Sequence, residues 1–243
     1  MAGGEILIGT SGWHYRHWRG PFYPQDLPAS KMLEFYIERF DTVEINNSFY
    51  RLPKPETFAE WRKSTPKDFT FAVKASRFIT HNKVLKDPDE PVDRLFASIT
   101  GLKSKLGPIL FQLPPRWKLN LERLEEFLRA LPKRRRYAFE FRNETWNAQP
   151  VYDLLKRFNA AYCIYHLAGF QSPLEITADF TYVRLHGPGG KYQGSYDDAA
   201  LHEWAARIAD WRRKLKAVYV YFDNDQSGYA AKDALRLKEL LRA

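Results

Sequence analysis

Short apolar runs rich in β-branched and aromatic residues alternate along the chain with stretches of helical spacing. That alternation is how repeated β–α units and a mostly parallel sheet read in a sequence. Runs at 6–9, 42–46, 70–74, 109–112, 137–142, 161–166, 182–186 and 218–223 predict strands. Stretches at 31–39, 56–64, 92–105, 121–130, 151–158, 198–215 and 229–241 predict helices. Eight strands with seven helices predict an α/β fold, a (β/α)8 TIM-type barrel with one degenerate βα unit around residues 167–180, where helical periodicity is missing. No linker-like or low-complexity stretch divides the 243 residues, so one domain over 1–243 is expected.

Side chains alternate between the two faces of a strand, so each predicted strand can be sorted by parity. In 137–142 one face is aromatic and the other carries Ala138, Glu140 and Arg142. Val183 and Leu185 oppose Arg184 and His186; Val218, Val220 and Phe222 oppose Tyr219, Tyr221 and Asp223. Val43 and Ile45 oppose Glu44 and Asn46, Phe71 and Val73 oppose Ala72 and Lys74, and Phe111 opposes Gln112. A sheet face covered by helices must be apolar. The mixed face is therefore expected to point inward, with its polar members at the C-terminal halves of the strands, where barrel enzymes place their working groups.

Composition adds limits. Hydrophobic residues make up 44% of the chain, enough for a sizeable core, and charged residues 28%, ordinary for a soluble surface. No apolar run is long enough to cross a bilayer, so no membrane partner is expected. The start, Met1 to Glu5, has neither a basic nor an apolar leader region, which makes a cytoplasmic location the default expectation. The lone Cys163, within Ala161-Tyr162-Cys163-Ile164-Tyr165, rules out a disulfide framework and reads as a buried strand residue. A net charge of +9 favours anionic partners without naming them.

The inward-facing charges supply the candidate chemistry. Glu44, Glu140, His186 and Asp223 are the acid/base candidates; Lys74, Arg142 and Arg184 are placed to hold an anionic group. Asn46 and Gln112 add neutral polar contacts, and Trp13, Tyr50 and Trp146, in loops after strands, are placed to pack on a ligand. The competing reading is an ion network that satisfies itself and only holds the barrel together, because enclosed charges must be paired. A glycosidase-like use of Glu44 and Glu140 depends on their separation. Lys74 among carboxylates reads as a salt-bridge partner before it reads as a Schiff-base lysine. Glu44, Glu140, His166, His186 and Asp223 form no compact ligand motif and have cations beside them, so no metal is assigned, and no cofactor is indicated. The loop from His186 to Tyr192 is glycine-rich and reads either as a phosphate cradle or as a flexible turn. The basic runs Lys133–Arg136 and Arg212–Lys216 precede strands, at the opposite end from the pocket, and read as solvated surface.

Taken together, several segments resemble the YecE-like proteins, a family catalogued as a domain of unknown function. These are Gly9-Thr10-Ser11-Gly12-Trp13-His14-Tyr15 through Trp18 and Phe22-Tyr23-Pro24, then Val43 to Tyr50, and Phe71-Ala72-Val73-Lys74 with Ile79-Thr80-His81. Phe111 to Pro115, Glu140-Phe141-Arg142 with Trp146, Arg184-Leu185-His186-Gly187 and Tyr221 to Asp225 follow in order. Two positions depart from that pattern: Asn47-Ser48, where the family more often has threonine before Phe-Tyr, and Asp233-Ala234, where it more often has Asn-Ala. The resemblance implies a TIM-type barrel and supplies no reaction; a likeness to endonuclease-type barrels, and hence nucleic-acid binding, is offered for such proteins by analogy. The leading expectation is an enzyme or ligand binder for a small anionic or polyhydroxylated, sugar-like compound. The alternative is a nucleic-acid-binding protein, with metal-dependent phosphodiester cleavage of endonuclease type as its sharper form.

Overall fold

Each of the eight apolar runs is a strand. In chain order the strands are β1 (Glu5–Thr10), β2 (Thr42–Ile45), β3 (Thr70–Lys74), β4 (Leu106–Gln112), β5 (Tyr137–Glu140) and β6 (Ala161–Leu167). A two-residue β7 (Phe170–Gln171) precedes β8 (Phe180–Leu185) and β9 (Ala217–Phe222). The structure is a computed structural model and describes residues 3–242; Met1, Ala2 and Ala243, which the expected domain and the reading of the N-terminus include, lie outside the described residues. The strands follow the order β1-β9-β8-β6-β5-β4-β3-β2, a nearly closed barrel of eight parallel strands with helices between them. This is the TIM-type architecture.

The helices are α1 (Met32–Ile37), α2 (Asn47–Tyr50), α3 (Pro55–Lys63), α4 (Asp89–Ile99), α5 (Leu121–Ala130), α6 (Gln149–Arg157), α7 (Asp198–Lys214) and α8 (Tyr229–Leu240). Local chemistry sets several of their limits. Asn120 caps α5 by accepting from the Arg123 amide at 2.9 Å, and Asp197 caps α7 through the Ala200 amide at 2.8 Å. The helix predicted over 92–105 stops at Ile99 and continues as a 3-10 turn, Thr100–Lys105. Gly101 sits in that turn, where a Cβ would lie 2.5 Å from the Pro55 carbonyl, so the close approach to α3 needs a glycine. In the degenerate unit β7 runs antiparallel to β6, pairing His166 with Gln171 and Leu167 with Phe170.

The chain forms two compact units. One runs to Glu44 and takes up Ile164–Leu174 and the chain from Asp179; the other comprises Ile45–Cys163 and Glu175–Ala178. In the first unit β9 lies between β1 and β8, in register with both through Ala217 to Phe222. Also within it, β1 and β2 approach through a parallel bridge of Ser11 with Glu44 and the Gly12 amide donating to the Glu44 carbonyl at 2.8 Å. Gly9 makes that approach possible, since a Cβ there would lie 2.3 Å from the Thr42 carbonyl oxygen. In the second unit β3, β4 and β5 pair in parallel, with Gln112 opposite Glu140.

Candidate active site

Parity places Tyr182, Arg184 and His186 on one side of β8, and in the first unit these side chains meet the ends of β1, β2 and β9. Arg184 is fully buried and organises the group. Its Nε donates to Glu44 Oε2 at 3.0 Å and its Nη2 to Glu44 Oε1 at 2.7 Å, a two-point grip on one carboxylate. Nη2 also reaches Asp223 Oδ2 at 2.9 Å and Ser11 Oγ at 3.3 Å. Glu44, itself fully buried, accepts further from Ser11 Oγ at 2.5 Å and from the Tyr182 hydroxyl at 2.6 Å. Both oxygens of Glu44 are thus taken twice over, which makes it an anchor.

His186 lies between the two charges, its Nε2 3.4 Å from Arg184 Nη1 and its Nδ1 2.9 Å from Asp223 Oδ2. Asp223 is where the network nears solvent: its side chain is 8% exposed, against 0% for Arg184 and His186. Two carboxylates facing one guanidinium leave the group net negative.

Two residues beyond Asp223, Asp225 lies at the more open end with its side chain 32% exposed. Its carbonyl accepts from Trp18 Nε1 at 2.8 Å, and His17 Nε2 stands 2.9 Å from the same oxygen. His17 Nε2 is also 3.5 Å from Asp225 Oδ2. Burial, and then the neighbouring Asp223 charge, raise the Asp225 pKa above the ordinary aspartate value, with His17 opposing. The Tyr15 hydroxyl donates to the Ser11 carbonyl at 2.5 Å. Burial first, then Asp223, Asp225 and Glu44, push its pKa well above the usual phenol value. Tyr182 is raised for the same reasons, burial before Glu44. Both phenols therefore remain donors at physiological pH.

The structure brings Glu44, Arg184, His186 and Asp223 together, and beside them stand Ser11, Tyr15, His17, Tyr182 and Asp225, which the sequence did not single out as site residues. Tyr182 shares the parity of Arg184, and Asp225 follows Asp223 in the loop after β9, so both carried a signal. Ser11 lies one residue past β1, and the first loop holds too many polar residues to single out Tyr15 and His17.

In the second unit Glu140 is fully buried and hydrogen-bonded by Arg142 Nε, with the buried Cys163 Sγ 3.8 Å from its other oxygen. Lys74 is buried with its Nζ 4.3 Å from the centre of the Phe49 ring. Gln112 donates to the Leu113 carbonyl at 3.2 Å, and Asn46 Oδ1 is buried without a hydrogen-bond partner among the described residues. Trp146 is fully buried, stacked on Phe141 with centroids 4.7 Å apart and donating to the Trp117 carbonyl. Trp13, in the first unit, is also buried, whereas Tyr50 is 70% exposed.

Several amides of the glycine-rich segment after β8 are held within that segment. Gly187 donates to the Tyr196 hydroxyl, Tyr192 to the His186 carbonyl and Gln193 to the Gly190 carbonyl. Buried Asp233 holds its far end, accepting from Ser195 Oγ at 2.6 Å, the Tyr196 amide at 3.0 Å and Asn224 Nδ2 at 2.8 Å. Tyr196 in turn lies 2.9 Å from His166 Nδ1. Of the basic runs, Arg213 and Lys214 pair with Asp210, and Lys216 with Asp179. Among the described residues no group of three or more His, Cys, Asp and Glu side chains is placed to hold a metal ion, and no helix is long and apolar enough to cross a membrane.

Fold and site together define a TIM-type barrel protein with a buried, charge-dense network at its strand ends. Residues 7–243 match the family described as "Protein of unknown function DUF72", and the chain belongs to that family. It is 28% identical over 270 residues to the UPF0759 protein YunF of Bacillus subtilis (strain 168), covering 97% of this chain and 94% of that one. It is 34% identical over 145 residues to the UPF0759 protein YecE of Escherichia coli (strain K12), a match spanning 59% of this chain and 51% of the relative. A DUF72 family protein from Thermotoga maritima MSB8, solved by crystallography, superposes with a TM-score of 0.88 at 28% identity, over 98% of this chain and 100% of the other.

Proposed function

We propose that the protein binds, and acts by acid/base chemistry on, a small polyhydroxylated compound at the Asp223–Asp225 end of the network. One observation carries this reading: two aspartates two residues apart occupy different environments. Asp223 is ion-paired with Arg184 at 2.9 Å, whereas Asp225 keeps its proton to higher pH than an ordinary aspartate. Such separation of two carboxylates is how acid and base roles are divided in enzyme sites. Asp225 suits the proton donor, Asp223 with His186 Nδ1 beside it suits the acceptor, and Glu44–Arg184 fixes Asp223 in place.

Charge selects within the expected ligand classes. A unit anion about 4 Å from a net unit of negative charge meets roughly 4 kcal/mol of repulsion at the effective dielectric of a protein surface, about a thousandfold in affinity. Neutral hydroxyls donate to carboxylates and escape that penalty.

A thermal-shift panel of neutral sugars and polyols beside sugar phosphates tests the reading. Stabilisation by a neutral compound, lost in Asp223→Asn and Asp225→Asn, is expected. Stabilisation by the phosphates alone, or equal stabilisation of the variants, overturns it.

A further inference from the structure

The second unit carries an electrostatically opposite feature. A cavity of about 500 Å³ opens between the segment following β2, the segment following β3 and α4. That volume lies within the range of small-molecule sites. Its lining includes Arg51, Arg77 and Arg94 and no acidic residue. All three arginines are exposed, and among the described residues none of their guanidiniums makes a hydrogen bond or an ion pair. Other surface arginines are paired, as Arg129 is with Glu125 and Arg236 with Asp198. Three open guanidinium forks around one cavity form a positive site for an oxyanion, and the planar fork matches phosphate oxygens two at a time.

The same cavity presents two ring faces. Tyr50 is 70% exposed and Phe78 40%, both among the few large apolar side chains that the fold leaves open. The backbone that presents Phe78 is unusual. Phe78–Asn82 forms a single π turn, a form that recurs at functional sites. Soon after it Val84, Leu85 and Asp87 adopt positive φ values of 44°, 65° and 43°. For a β-branched valine that conformation is a true outlier, and such strain concentrates at ligand clamps. Leu85 is buried, and Lys83 pairs with Asp87 at 3.0 Å, so packing and an ion pair hold the segment in this form.

We infer that this cavity binds a nucleoside monophosphate, its phosphate held by Arg51, Arg77 and Arg94 and its base laid against Tyr50 or Phe78. Neither half of such a ligand accounts for the site alone. Inorganic phosphate leaves the exposed rings unused, and a free nucleoside leaves the arginines unused. Stacking and guanidinium–phosphate bonds are each tolerant of base identity, so the site favours the class over one base.

Isothermal titration calorimetry of the full chain at low salt tests this, with AMP, GMP, UMP, adenosine, inorganic phosphate and a short single-stranded oligonucleotide as titrants. Saturable binding of the monophosphates is expected, tighter than either adenosine or phosphate. Each of Arg51→Gln, Arg77→Gln and Arg94→Gln should weaken it about tenfold, the loss of one charge-assisted hydrogen bond. Tyr50→Ala with Phe78→Ala should bring AMP down to the affinity of phosphate. All five positions are exposed, so the variants should keep the parent's melting curve, and a variant that does not is replaced by the corresponding Arg→Lys. No saturable monophosphate binding overturns the inference, as does binding that the arginine variants leave intact. Tighter binding per nucleotide by an oligonucleotide overturns it in favour of a nucleic-acid strand.

Discussion

At the residue scale the site rests on one guanidinium that serves two carboxylates, with Arg184, Glu44 and Asp223 all buried. Removing one partner of such a group leaves uncompensated charge in a low-dielectric place, which costs more than the pair contributed. Arg184→Met should therefore lower the unfolding free energy by about 3–5 kcal/mol, read from urea denaturation midpoints. A loss within the roughly ±0.5 kcal/mol typical of surface changes would show that the network contributes little. Asp233 gives a sharper test because its acceptors face three donors. Burial raises its pKa, so the folded state favours the protonated acid; below the ordinary aspartate value the group carries no penalty, and stability falls as pH rises through the raised folded value. An asparagine fits the same place, its oxygen accepting from Tyr196 and Asn224 and its amide donating to Ser195. The melting temperature of Asp233→Asn relative to the parent should therefore rise between acidic and neutral pH. A difference that stays flat or falls contradicts the account.

At the element scale, the close approach of β1 to β2 depends on Gly9. In Gly9→Ala the new methyl would stand 2.3 Å from the Thr42 carbonyl, a backbone atom that cannot rotate away. The strands would have to separate, at about 1–3 kcal/mol, measured by thermal or denaturant unfolding; an unchanged midpoint would mean that the gap closes without strain. Strands and long helices were legible because their signals are periodic: runs of β-branched or aromatic residues mark all eight barrel strands, and the pattern over 121–130 coincides with α5. Helical turns of four or five residues are too short to show a 3.6-residue period, so α2 and the π turn at Phe78–Asn82 escaped notice. The parity of β8 correctly put Arg184 and His186 on one face, because that face is dictated by the need to keep helices on apolar surface. It could not say that Arg184 would spend its donors on Glu44, Asp223 and Ser11, since those partners lie on strands distant in sequence. Nor could it say that Trp146 would be stacked on Phe141 and packed against a tilted Trp117. A loop tryptophan looks the same in sequence whether its face is open or covered.

At the scale of the whole molecule, the net charge of +9 pulls towards anions, while the best-built site in the chain is negative. Charge is local: the positive side of the total includes surface arginines and lysines paired on helices, such as Arg213 and Lys214, and the open arginines 51, 77 and 94 of the second unit. Affinity and its salt dependence separate the two possibilities. Binding that neutralises phosphates with cations falls steeply as salt is added, whereas a neutral ligand held by carboxylates and hydroxyls does not feel the screening. The most direct measurement is calorimetric titration of the neutral sugars and polyols, at low and at high salt, into the parent and Asp223→Asn. The account predicts saturable binding of at least one neutral compound by the parent, unchanged by salt and lost in the variant. Failure of every neutral compound to bind, or affinity that collapses with salt and survives Asp223→Asn, would contradict it.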